Sequence, residues 1–230
     1  MATLIRKAIE RIIYHFKGEA YIIDLYIPLG YLIALIWRRF TMLLYGYILF
    51  QRKIFVSTSA RIRCKSKFHF NGLVTIGDNS YIDALSVNGI SLCKNVSIGN
   101  RTIIECTGSL QNIGLGLRIG NNVGLGTDGF WGCAGGIEVG DDTIFGNYVS
   151  LHSENHNFSR LDIPIRKQGV NRKGIKIGSN CWIGAKVTIL DGTIIGNGYV
   201  VAAGAVVRGQ FPDNCVIGGV PAKILKMRYE

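Results

Sequence analysis

The chain has 230 residues, 30 of them Gly, 4 Pro and 6 Cys, with 48% apolar and 18% charged residues and a net charge of +11. So apolar a composition excludes a disordered chain, and Gly far below one third with scarce Pro excludes a collagen-like one. The positive balance favours anionic partners such as phosphorylated cofactors, acidic glycans, anionic lipid or nucleic acid, without choosing among them.

The first 60 residues differ from the rest. Leu4, Ile5, Ala8, Ile9, Ile12, Ile13 and Phe16 recur at helical spacing, with Arg6, Lys7, Arg11 and Lys17 between them. This is the pattern of a basic amphipathic helix. Two apolar runs follow, 21–37 and 40–50. Asp24, Pro28 and Gly30 interrupt the first, and Arg38-Arg39 divides it from the second. Neither run reaches the roughly 20 clean residues of a spanning helix. No small-residue cleavage site follows them, so the start does not read as a signal peptide. Two expectations stand side by side: a helical cap packed on protein, or a segment lying on an anionic membrane surface.

Beyond residue 60 a period of six takes over. From Ile177 the register is unbroken, with aliphatic heads at Ile177, Ile183, Ile189, Ile195, Val201 and Val207. Earlier blocks are headed by Ile76 and Ile82; by Leu92, Ile98 and Ile104; by Ile113, Ile119, Leu125 and Trp131; and by Val139, Phe145 and Leu151. Each hexapeptide makes one short strand and a turn, and three close a triangular coil. Eighteen heads therefore predict about six coils, with inward heads filling the axis and Gly or Asn at the corners. The six cysteines, Cys64, Cys93, Cys106, Cys133, Cys181 and Cys215, form no CxxC pair. They read as reduced thiols filling a core in a reducing compartment, and the expected location is cytoplasmic. The predicted organisation is a helical extension over 1–60, a repeat helix over 61–215 and a tail over 216–230.

The period breaks once, between Leu151 and Ile177. The segment 152–174 must loop out, and long ordered loops are often functional. It holds two of the four histidines, His152 and His156, and the cations Arg160, Arg166, Lys167, Arg172 and Lys173. Acyl transfer from a thioester to an alcohol needs a base on the hydroxyl proton, and a histidine suits that work near neutral pH. The same pair at a four-residue spacing could reach one metal, but no third ligand is evident, so no metal is expected.

The repeats, the loop with Asn155-His156-Asn157-Phe158, the stretch IKIGSNCWIGAKVTILDGTIIGNG, the run VVAAGAVV and the closing GGVPAKILK together resemble the hexapeptide-repeat acyltransferases. The resemblance spans roughly residues 70–230 and is strongest to the sugar O-acetyltransferases of capsular and exopolysaccharide synthesis. It implies an all-β, left-handed parallel β-helix and direct transfer from acetyl-CoA, with His156 as general base. It places Ala185 and Ala203 along the pantetheine arm, Trp182 beside the cofactor groove, and Arg208, Lys223 and Lys226 at the nucleotide end; an exposed aromatic in a subunit contact is the alternative for Trp182. Asp128, His152 and Asn155 fall on the acceptor side, Asp128 where the family carries Asn; GTDGF also reads as a turn around it. The resemblance further implies a homotrimer with sites at its interfaces, a sugar or polysaccharide precursor as acceptor, and no nucleic acid. Serine, an amino sugar or an antibiotic is the alternative acceptor. A non-catalytic β-helix scaffold is the alternative role.

Overall fold

The computed structural model describes residues 2–17 and 22–229, the side chains of 2–4 and 15–17 excepted. Two compact units divide between Thr58 and Ser59.

The N-terminal unit holds helices α1, Ala2–Lys17, and α2, Leu29–Phe50. Ile5, Ile9 and Ile13 recur every four residues on α1 and pack with Ile23, Ile27, Leu29 and Leu32. Ala8 and Ile12, expected on the same apolar face, are exposed instead, and the side chains of Leu4, Phe16 and Lys17 lie outside the described residues. The turn between the helices is held by Arg6, whose guanidinium donates to the carbonyls of Asp24, Leu25 and Ile27. Arg38-Arg39 does not divide α2. The helix runs through both for 22 residues, long and apolar enough to cross a membrane by length and composition alone. Arginine is a good helix former, so a charged pair costs the helix itself little. Gly46 lets the chain fold back on α2, since a Cβ there would lie 2.1 Å from the Ile54 carbonyl oxygen.

The second unit is a three-faced parallel β-helix. The first face stacks Arg61–Arg63, Tyr81–Asp83, Ile103–Glu105, Phe130–Gly132, Ser150–His152, Thr188–Leu190 and Val206–Val207. The second stacks Phe68–Phe70, Ile90–Leu92, Leu117–Ile119, Ile137–Val139, Ile175–Ile177, Ile194–Ile195 and Gln210–Phe211. The third pairs Val74–Ile76 with Val96–Ile98, passes through a bridge at Gly124, and continues with Ile144–Phe145, Trp182–Ile183, Val200–Val201 and Cys215–Gly219. Strand register puts Ile82, Ile104, Trp131, Leu151, Ile189 and Val207 in one inward column, all fully buried. Cys106, Cys133, Cys181 and Cys215 are buried as well.

Seven-stranded sheets mean seven coils. Seventeen of the predicted heads are spread over all seven: the first coil, from Arg61, carries only Ile76, the last carries only Val207, and the five between carry three each. The predicted tail is part of the helix: Val216 and Ile217 pair with Val200 and Val201, and Ala222–Met227 turns back antiparallel to close the end.

One head is misplaced by the sequence reading. Ile113 is exposed, in a short antiparallel hairpin of Gly108–Ser109 with Asn112–Ile113. It stands six residues before Ile119, so an extruded loop mimicked the repeat. The chain thus leaves the coil twice at the same corner, between the first and second faces. The exits follow Glu105 and, two coils on, His152.

Candidate active site

The loop 152–174 is a second antiparallel hairpin, Asn155–His156 paired with Val170–Asn171. Its departure and return are both pinned. Ser153 is buried; its hydroxyl donates to the Gly132 carbonyl at 2.7 Å and accepts from the Gly135 amide at 2.9 Å. A Cβ at Gly135 would sit 1.8 Å from the Ser153 carbonyl oxygen, so the exit needs glycine there. At the return, buried Asp191 accepts the amides of Lys173 and Gly174 at 2.8–3.1 Å.

Arg172 joins this hairpin to the other one. Its Nε donates to Glu154 at 2.6 Å, and its two terminal nitrogens reach the Asn112 side chain and the carbonyls of Asn112 and Ile113 at 3.0–3.2 Å. The Arg172 side chain is only 13% exposed. Glu154 lies two residues before His156, and Arg172 directly follows the strand that pairs with it. Arg172 is therefore the group that fixes the His156 hairpin against residues 108–113. The guanidinium fork can satisfy this geometry where a single ammonium cannot.

His156 itself is exposed, and among the described residues no group hydrogen-bonds its ring. The backbone is fixed while the imidazole is open to a substrate. Asn155 is half-buried in the same strand. His152 ends the strand before the hairpin. Its Nε2 lies 3.2 Å from the Ser150 hydroxyl, its ring centroid lies 5.3 Å from Phe130, and burial pulls its pKa below the usual 6.5. Below the two hairpins a groove of about 460 Å³ opens on the second face, bordered by Leu115, Gly136, Lys173 and Lys176. Two of the five loop cations are paired within the loop, Arg172 with Glu154 and Arg160 with Asp162. Among the described residues no group of three His, Cys, Asp or Glu is placed to hold a metal.

The residues expected along the cofactor lie elsewhere. Ala185 and Ala203 stack one coil apart at the corner between the third and first faces, the Gly204 amide donating to the Ala185 carbonyl at 2.9 Å. Trp182 is 55% exposed on the adjoining third face, and Arg208, Lys223 and Lys226 are exposed near the last coil. Strands of the first face run from this corner to the corner that bears the hairpins. Within one chain, His156 and the Ala185–Ala203 strip thus lie toward opposite ends of the same strands and are not brought together.

Asp128 occupies that same strip corner. Its φ is +57°, its carboxylate receives the Arg101 guanidinium through two bonds of 2.6 and 2.8 Å, and that pairing holds its pKa below the usual carboxylate value. Arg101, Tyr148 and Lys186 repeat the positive φ up the corner, at 54°, 60° and 59°. Such conformations are costly for these residue types, and strained backbone concentrates at functional sites. Lys186, beside Ala185, is a cation the sequence reading passed over; no periodicity marks it, because a corner expected to favour Asn or Gly hides a lysine.

A parallel β-helix of hexapeptide coils with a histidine-bearing hairpin at one corner defines a class, and comparison with known proteins agrees with it. Residues 174–209 match the model of the bacterial transferase hexapeptide (six repeats), and residues 73–105 match that of the hexapeptide repeat of succinyl-transferase. A probable acetyltransferase of Mycobacterium tuberculosis is 34% identical over 68% of this chain and 51% of its own. A putative lipopolysaccharide biosynthesis O-acetyl transferase of Escherichia coli is 42% identical over 39% of this chain and 50% of its own. A galactoside O-acetyltransferase of Lactococcus lactis is 36% identical over 38% and 42%. This chain spans about half the length of these curated relatives. Among solved structures, an N-acyltransferase from Bacillus cereus in complex with dTDP and 3-hydroxybutyryl-CoA gives a TM-score of 0.48 at 20% identity, covering 77% of this chain and 81% of that one. The repeats over 73–105 and 174–209 are those of the hexapeptide-repeat transferases, and the fold they build is a left-handed parallel β-helix.

Proposed function

We propose that this chain is an acetyl-CoA-dependent O-acetyltransferase acting on a sugar hydroxyl in surface-polysaccharide synthesis, as a homotrimer in the cytoplasm. The observation that carries the reading is His156: a hairpin held at Ser153, Arg172 and Asp191, with an imidazole open to solvent. In the proposed reaction His156 takes the proton of the sugar hydroxyl as its oxygen attacks the thioester carbonyl. The tetrahedral intermediate collapses, the carbon–sulfur bond breaks, and the coenzyme A sulfur leaves with the proton that His156 returns. Base catalysis of this kind contributes about 10²–10⁴ in rate. Ala185 and Ala203 would offer backbone groups to the pantetheine arm, and Arg208, Lys223, Lys226 and Lys186 would meet its phosphates.

The separation of His156 from that strip supports a site completed by a second copy, as does closed cyclic symmetry in homo-oligomers generally. Exposed Leu110, Phe158, Leu161 and Ile165 on the two loops supply apolar surface for such a contact. The galactoside and lipopolysaccharide O-acetyltransferases among its relatives support a sugar acceptor. Cysteines without a disulfide framework support a reducing compartment.

The test is release of coenzyme A from acetyl-CoA against a panel of sugars and envelope glycans, with His156→Ala beside the parent. Sugar-dependent release, lost in the variant while acetyl-CoA still binds, supports the reading. Turnover with serine or an antibiotic and none with sugars would overturn the acceptor, and full activity of His156→Ala would overturn the base.

A further inference from the structure

The N-terminal unit leaves a large apolar surface uncovered. Turning by 100° per residue, Ile33, Ile36, Trp37, Phe40, Leu44, Tyr47 and Ile48 of α2 fall within one stripe, and all seven are exposed. Buried Leu32, Met42 and Gly46 lie on the other side of the helix. Arg38 and Arg39 also turn away from the stripe, one toward each of its flanks. At the turn before α2, Ile22, Leu25 and Tyr26 are 88%, 78% and 95% exposed.

Charge says what covers this surface. Residues 1–58 carry eight Lys and Arg against three acidic residues. Lys7, Arg11, Arg38, Arg39, Arg52 and Lys53 are exposed. The two described acids serve local backbone: Glu10 accepts the Ile23 amide at 2.9 Å, and Asp24 accepts the Tyr26 amide at 2.8 Å. A second copy would set like charge against like. An anionic bilayer complements both the apolar stripe and the cations.

We propose that α2 lies in the plane of an anionic phospholipid surface, with the stripe from Ile33 to Ile48 in the acyl boundary and the arginines at headgroup level. Length alone permits the other orientation. Twenty-two residues extend about 33 Å, close to the thickness of a hydrocarbon core. Spanning would put Arg38 and Arg39, the tenth and eleventh residues of the helix, at the bilayer midplane, where each costs about 2.5–3.5 kcal/mol. In the plane, both reach water without leaving the helix. The proposal is independent of the acceptor and of the reaction.

The probe is the full-length chain with phosphatidylcholine vesicles, with and without phosphatidylglycerol. Co-sedimentation should require phosphatidylglycerol, fall with salt, and weaken about tenfold or more in Phe40→Glu/Leu44→Glu. That change is on exposed positions, and an unaltered thermal unfolding midpoint checks its fold. Trp37 reports depth. Lipids brominated near the headgroup should quench the tryptophan fluorescence more than lipids brominated near the chain ends, and Trp37→Phe should abolish the difference. Strongest quenching by the deep bromines would overturn the in-plane orientation. No sedimentation with phosphatidylglycerol, or sedimentation unchanged in the double variant, would overturn the membrane surface itself, and a lipid-free oligomer dispersed by the same variant would assign the stripe to a second copy.

Discussion

The coils and the two hairpins at their corner obey different rules. In the coils, each inward residue repeats its neighbour below: Ile104, Trp131, Leu151 and Ile189 fill one column by the same geometry. In the hairpins nothing repeats, and single side chains decide the shape. Arg172 bridges both hairpins, and Asp191 clamps the return of one. The fold is therefore encoded many times over, while the site is encoded once. Damage to one coil position should cost stability and leave the chemistry, and damage to one hairpin position should do the reverse.

The largest expected effect is chemical. His156→Ala should lower kcat by about 10²–10⁴ with acetyl-CoA binding nearly unchanged, as steady-state kinetics and equilibrium titration would show. If Leu151, in the coil, is cut to Ala, denaturant unfolding should report a loss of about 2–5 kcal/mol. The same cut at Ile113, exposed in its hairpin, should stay within about 0.5 kcal/mol. Equal losses at the two positions would erase the distinction between coil and hairpin.

Arg172→Ala should lower kcat about tenfold or more through misplacement of His156, with little change in the unfolding midpoint. It should also open residues 108–113 to proteases. Arg172→Lys should not restore the rate, because an ammonium cannot make the forked contacts. Recovery in the lysine variant would mean that charge alone is at work.

The smallest effect is on pH. Burial favours neutral His152 in the folded chain, so the unfolded chain binds a proton first as pH falls through about 6.5. Stability contributed by neutral His152 is thus lost on acidification. His152→Gln should show a slightly shallower fall in unfolding midpoint between about pH 7 and pH 5.

This division also explains what could be read from sequence. Ile189 and Val207 announce their place because the period is sustained around them. Ile113 deceives because an accidental spacing of six to Ile119 disguises an extrusion. Arg172 carries no signal at all: its partners Asn112 and Ile113 are about sixty residues away, and only the shared corner brings them together. His156 stands out for the opposite reason, since a histidine flanked by asparagines interrupts an otherwise regular repeat. In α2 the arginine pair reads as a boundary when hydropathy is followed along the chain. Around the helix, the pair leaves the apolar stripe intact.

In the proposed homotrimer the base of one chain works on a thioester held by the corner strip of another. Mixed trimers test it directly. His156→Ala lacks the base, and Ala203→Trp blocks the exposed strip; each should be inactive alone. Unfolded together and reassembled, the two variants should regain activity, because some interfaces then pair an intact His156 with an intact strip. Hybrid trimers verified by mass that stay inactive would place the whole site within one chain.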